Sequence, residues 1–256
     1  MRGRNFKVRL FLGVAIALFF VIKRCAQQET NKYTGRVQTI SMTADREIQI
    51  GLASAPQMAQ QHGGLHPNNQ YQAFVDEVGN KLVRNSIAIE TPYKYEFHLL
   101  SDSKTINAFA LPGGQIFITY ALFSKLENES QLAGVLGHEI GHVLGRHSAE
   151  RIAESEYWQG LVTAGSVGGD VGGLVSGIGQ QTLLTNGRDD ELESDELGVM
   201  FMMQSGYDPY EMIGVMKILK AAAGTNRVPE FQSTHPDPDN RIEKIKAAID
   251  KYKNAL

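Results

Sequence analysis

The stretch Leu136-Gly137-His138-Glu139-Ile140-Gly141-His142-Val143-Leu144 constrains this chain more than any other. On an α-helix, residues four apart share one face, about 40° apart in projection. His138 and His142 can therefore aim two imidazoles at one metal ion. Glu139 sits about 100° round from His138, near enough to meet a water on that ion without ligating it. A helical His-Glu-x-x-His pentad suits metal-assisted hydrolysis, and it sets three conditions on the remaining chain. The segment must be helical, a third ligand must come from elsewhere, and the site must open to a substrate.

The chain has 256 residues, of which 42% are hydrophobic, enough for a substantial core. Its net charge of -3 hides an asymmetry. Residues 1–24 carry six Lys/Arg and no acid, leaving 19 basic against 28 acidic residues beyond. So acidic a body offers no electrostatic footing for nucleic acid, which is not expected as a partner. Cys25 is the single cysteine, which excludes an intrachain disulfide and a Cys-rich zinc site. Any metal must then be held by His and carboxylate.

Arg2, Arg4, Lys7 and Arg9 precede thirteen apolar or glycine residues, Leu10 to Ile22, which Lys23 and Arg24 close. As a helix, such a run reaches roughly 20 Å, short of the ~30 Å hydrocarbon core. Residues 1–24 read either as a signal peptide or as a short uncleaved membrane anchor. The excess of basic residues before the run predicts an exported body, in the periplasm or cell envelope. Lys23-Arg24 argue against lipidation at Cys25. Residues 25–42 read as a polar linker, and 43–256 as one domain.

Within that domain, Thr43 to Gln61 and Asn69 to Asn85 read as amphipathic helices. Tyr93 to Leu100 alternates as a strand, and Asn107–Leu111 and Gln115–Thr119 are two more, joined by the turn Pro112-Gly113-Gly114. They predict a small antiparallel sheet directly before the pentad helix. Its edge suits an extended peptide held by main-chain hydrogen bonds, although an ordinary core hairpin has the same pattern. The pentad helix is expected from an Asn128-Glu129 cap to about Glu154. Its glycines at 134, 137, 141 and 145 cost about 1 kcal/mol each relative to Ala, and they suit close packing beside the site.

Residues 157–187 shift in composition, with eight glycines between Gly160 and Gly179. They read as an insertion, whether a flexible cover, a pair of small-residue helices or a membrane-seeking hairpin. An acidic helix start follows over Asp189 to Glu196, and two further helices are expected at Pro209–Ala223 and Asp237–Lys253.

Two His and one carboxylate, with water in the fourth position, form a catalytic zinc set. The acidic helix is the natural donor of the carboxylate. Glu191 and Asp195 are four apart on one face, and Glu193 points elsewhere. We assign Glu191 to the metal and Asp195 to the imidazole behind it, fixing the tautomer. Geometry alone allows the reverse.

Four motifs stand in order along the chain: Asn107-Ala108-Phe109 with Pro112-Gly113-Gly114, the pentad His138–His142, Glu191-x-x-x-Asp195, and His235-Pro236 followed by Arg241. Together they resemble the M48 family of zinc endopeptidases over about residues 43–252. The resemblance implies an α+β, mainly α, zincin-like metallopeptidase with one Zn²⁺ per chain and polypeptide substrates. It supports Glu191 over Glu193 as the third ligand. His235 and Arg241 match residues at the family's cleft, where they would stabilise the oxyanion or control access to the metal. On this reading Glu139 is the general base, and Asn107, Ala108 and Phe109 hold the substrate. The expected role is hydrolysis of unfolded or damaged envelope proteins. Its rival is a zinc-stabilised chaperone or binding module, in which Glu139 would be dispensable. The tandem helical repeats and multiple membrane spans of some members have no counterpart in this sequence.

Overall fold

A computed structural model describes residues 2–169, 172–222, 235 and 240–254, with residues 2–5 and 172–186 described by backbone alone. The elements in order are α1 (Arg2–Ala26), β1 (Gln28–Thr30), β2 (Val37–Thr39), α2 (Ala44–Gln61), α3 (Asn69–Arg84), a 3-10 turn (Ile87–Glu90) and β3 (Glu96–Leu100). There follow β4 (Ala108–Ala110), β5 (Gln115–Thr119), α4 (Tyr120–Phe123), α5 (Glu129–Leu144), α6 (His147–Gly169), α7 (Gly172–Gln204), α8 (Glu211–Ala222) and α9 (Arg241–Lys253). These elements form two units, Met1–Met42 with His147–Gly187, and Thr43–Arg146 with Arg188–Leu256.

In the first unit α1 packs on α6 through small residues. A Cβ added at Gly13 would lie 2.7 Å from Gly168 Cα, and the Phe20 ring covers Gly160. Lys23 pairs with Glu156 at 3.0 Å, and Arg24 pairs with Glu154. The segment expected to be a linker instead carries a hairpin, with β1 antiparallel to β2. Asn31 Oδ1 accepts from the amides of Tyr33 and Thr34, and Gly35 takes the positive φ of 75°. Side-chain capping and main-chain pairing build this hairpin without the apolar alternation by which strands are recognised. Among the described residues, no helix is long and apolar enough to cross a membrane.

The second unit is organised around α5, buried at every position from Gln131 to Leu144. Asn128 Oδ1 caps it by accepting from Gln131 N at 2.9 Å, and α3, α8, β4 and β5 pack about it. The strand order is β3-β5-β4. Phe97, Leu99, Ile116, Ile118 and Ala108 are buried, as are Val75, Val78 and Leu82 of α3. Burial of each large side chain contributes about 1.5–3 kcal/mol.

Three expectations are corrected here. The sheet is mixed: β4 and β5 are antiparallel, but β3 and β5 are parallel. The chain reverses between β3 and β4 and again at Pro112–Gly114, so β5 runs with β3 and then inserts beside it. The pentad helix stops at Leu144 instead of near Glu154, because Arg146 adopts φ 59° and ends the helical run. The acidic cluster is no helix start either, since α7 begins at Gly172 and Asp190, Glu191, Ser194 and Asp195 are buried in its interior. Their role is to face partners inside the unit, not to meet a helix dipole. The Pro236 of the His-Pro pair and the expected helix start at Asp237 lie outside the described residues, and α9 is described from Arg241.

Candidate metal centre

Local helix geometry delivers the first two donors, and a close helix crossing delivers the third. A Cβ on Gly141 would lie 3.0 Å from Ser194 Cα, and one on Gly137 3.4 Å from Gly198 Cα. Small residues on both α5 and α7 thus let the backbones approach until Glu191 reaches the imidazoles. His142 Nε2 lies 3.0 Å from His138 Nε2. Glu191 reaches both, Oε1 at 3.2 Å from His142 Nε2 and Oε2 at 3.3 Å from His138 Nε2. His235 Nδ1 joins them, 3.0 Å from Glu191 Oε1 and 3.3 Å from His138 Nε2. All four side chains are buried, and their donor atoms lie within 4.8 Å of one another.

This donor set fits a zinc-like ion. Ligands about 2.1 Å from a tetrahedral centre stand about 3.4 Å apart, close to the spacings above. The local charge agrees. Burial disfavours a charged His138, but hydrogen bonds and attraction from Asp195 and Glu191 outweigh it and raise its pKa to about 10. Burial also opposes charging of Glu191, yet His235, His142 and His138 hold its carboxyl well below the usual range. Glu191 Oε2 is buried, with Arg241 Nη2 at 3.4 Å and His138 Nε2 at 3.3 Å. The residues are arranged to receive positive charge.

Behind the donors, His138 Nδ1 lies 2.9 Å from Asp195 Oδ1. Arg241 donates Nε to Asp195 Oδ2 at 2.6 Å and Nη2 to Oδ1 at 2.9 Å. Burial works against the Asp195 charge, but Arg241 and His138 lower its pKa overall. Asp195 therefore links the His138 ring to the Arg241 guanidinium.

Glu139 is buried beside the donors, its Oε1 3.5 Å from His235 Nε2. His235 Nε2 also meets Ala108 O, on the outer strand of the sheet, at 3.1 Å. The ring thus bridges the edge strand and the donor set, and Nδ1 stands in the fourth position. The resemblance implies a cleft position for His235 but not this donor geometry, because no spacing rule links it to His138, 97 positions earlier. Of the strand residues, Asn107 and Ala108 are buried and Phe109 is half-buried, stacked on Phe117 with ring centroids 5.0 Å apart.

Two histidines and a glutamate on crossing helices, with a second glutamate beside the first histidine, could hold a metal ion and suit metal-dependent hydrolysis. The model of Peptidase family M48 matches residues 69–249, and the chain belongs to that family. It is 33% identical over 193 residues to a beta-barrel assembly-enhancing protease of Yersinia pestis, covering 70% of this chain and 39% of that protein. The protein of the same name in Escherichia coli K12 is 31% identical over 183 residues, covering 66% and 37%. The mitochondrial metalloendopeptidase OMA1 of Schizosaccharomyces pombe is 33% identical over 185 residues, covering 70% and 52%. The chain thus spans from about two fifths to half the length of these relatives.

Proposed function

We propose that the chain is a zinc-dependent endopeptidase of the cell envelope that hydrolyses unfolded or damaged proteins. The observation that carries this reading is Glu139, a carboxylate buried next to the first ligand and on the side of His235 and β4. A purely structural zinc has no use for it.

When bound, zinc supplies Lewis-acid polarisation of the peptide carbonyl and an acidified water. His138, His142 and Glu191 would hold the ion, and Asp195 with Arg241 would fix the His138 tautomer. The Glu139 carboxylate takes a proton from the attacking water and passes it to the leaving amine nitrogen. The outer edge of β4 holds the substrate extended through Asn107, Ala108 and Phe109. His235, whose Nε2 lies between Ala108 O of β4 and Glu139, is assigned to the developing oxyanion.

The envelope setting is supported by the names of the relatives and by α1, whose Phe11, Phe19 and Ile22 are exposed beside basic ends. Residues 1–24 then serve as leader or membrane anchor, and 43–256 as the peptidase domain. The rival reading, a zinc-stabilised chaperone or binding module, takes its support from His235 Nδ1, since four protein donors are the mark of structural zinc. Glu139→Gln in the full chain separates the two. Bound zinc is expected to stay at the wild-type level, while cleavage of an unfolded protein falls at least about 10²-fold. Wild-type cleavage by the variant would overturn the peptidase mechanism.

A further inference from the structure

An ion pair between a half-buried arginine and a buried glutamate lies in the same unit, just beyond the pentad helix. Arg146 donates Nε and Nη2 to Oε1 of Glu47 at 2.9 and 2.6 Å. Glu47 is 1% exposed, and Tyr93 donates its hydroxyl to the same carboxylate at 3.4 Å.

The pair joins two elements with different tasks. Arg146 stands four residues beyond His142, just past the end of α5. Glu47 lies on α2, against the turn that closes the β4–β5 hairpin. There the packing leaves no slack: a Cβ on Gly113 would lie 2.4 Å from Ile48 Cα, and one on Gly51 would lie 2.0 Å from Pro112 O. The same turn is tied to the β3 side, with Lys94 N donating to Gly113 O at 3.2 Å and Glu96 N to Gly114 O at 3.0 Å. A chain of rigid contacts therefore runs from the metal helix through Arg146, Glu47 and Pro112–Gly114 into β4.

Stability alone accounts poorly for this pair. Its acid is buried and its arginine half-buried; such a pair is often no better than well-packed apolar residues, and its best-attested use is to specify one arrangement. Arg146 also holds φ 59°, a left-handed conformation that is unfavourable for a residue with a Cβ. We propose that Glu47 and Arg146 are positioning residues that set the height of β4 against α5, so that polypeptide held on the strand presents its carbonyl to the metal centre. This rests on the reading of β4 as the substrate strand. The donors themselves are placed by the α5–α7 crossing at Gly137 and Gly141, so loosening the pair should leave the metal in place and misplace the substrate.

The test uses the full chain with Glu47→Gln, Arg146→Asn and Arg146→Lys, measuring bound zinc and kcat/KM on two substrates. One is a long unstructured peptide; the other is a short blocked peptide with no main chain left to pair with β4. Asn tolerates a left-handed backbone, so Arg146→Asn removes the charge while accommodating the turn. Misplacing reacting atoms by about 1 Å costs up to ~100-fold. Glu47→Gln and Arg146→Asn should therefore keep their zinc and lose roughly 10- to 100-fold on the long peptide, with less than about twofold change on the short one. Arg146→Lys, which keeps a cation against Glu47, should recover part of that loss. Equal losses on both substrates, an unchanged rate on the long peptide, lost zinc, or a Lys variant no better than Asn would each overturn the proposal. A wild-type enzyme without preference for the long peptide would overturn the substrate-strand reading itself, and is recognised before any variant is made.

Discussion

Asp195 Oδ1 lies 2.9 Å from His138 Nδ1, and Arg241 grips the same carboxylate through two nitrogens. Against that carboxylate Nδ1 is the donor, and Nε2 is directed at Glu191 and His142. Asp195→Ala should therefore lower zinc affinity about 10- to 100-fold, without removing a ligand. Competition against a calibrated chelator measures this, and an affinity equal to wild type would contradict the orienting role.

Glu191 reaches both imidazoles, whereas Glu193 lies two residues away on another face of the helix. Glu191→Ala is expected to leave protein with well under one zinc per chain after dialysis, and Glu193→Ala to retain its zinc. Metal analysis of the two variants side by side decides it. The opposite pattern would transfer the ligand role.

The α5–α7 crossing tolerates little added volume. Gly141→Leu would drive a side chain into Ser194, whose Cα and O already stand 3.0 Å from an added Cβ. Overpacking of this kind costs about 1–3 kcal/mol, and here it separates Glu191 from the histidines. Both the thermal midpoint and the zinc affinity should fall. A variant with unchanged metal binding would show that the crossing adapts.

Asp102 orders the loop that leads to β4. Its Oδ1 accepts from the amides of Lys104 and Thr105 at 2.9 Å each, and Oδ2 lies 3.2 Å from His62 Nδ1. Burial opposes its charge, but the hydrogen bonds from Thr105, Lys104 and His62 win and hold the carboxyl below the usual carboxylate range. A lowered folded pKa means that the stabilisation is fully present above the unfolded value near 3.9 and is lost as pH falls through the folded value. Asp102→Ala should cost about 1 kcal/mol at neutral pH. The gap to wild type should narrow in acid below about pH 4. Denaturant titrations across that range provide the check, and a gap independent of pH would refute the assignment.

Much of the site was legible because its parts are local. The pentad spacing places His138 and His142 on one helical face wherever the helix sits, and the Glu191–Asp195 spacing does the same on α7. The Asn128 cap was equally readable, since it satisfies an amide within three residues. The breaks were not. Arg146, not the Gly145 before it, takes the left-handed turn that ends α5, and α7 runs from Gly172 within the glycine-rich stretch into the acidic cluster. Helix propensity predicts an interruption there, whereas the helix is continuous from Gly172 to Gln204.

By itself, then, the amino-acid order determined which side chains share a face, which acids stand near which histidines, and that the only donors on offer were His and carboxylate. These follow from backbone periods of fixed length. Tertiary structure alone decided that β3 lies parallel to β5, that His235 brings Nδ1 to the donors and Nε2 to Ala108, and that Glu47 meets Arg146 across 99 positions. Those pairings depend on how whole elements pack, and no local period encodes the partner.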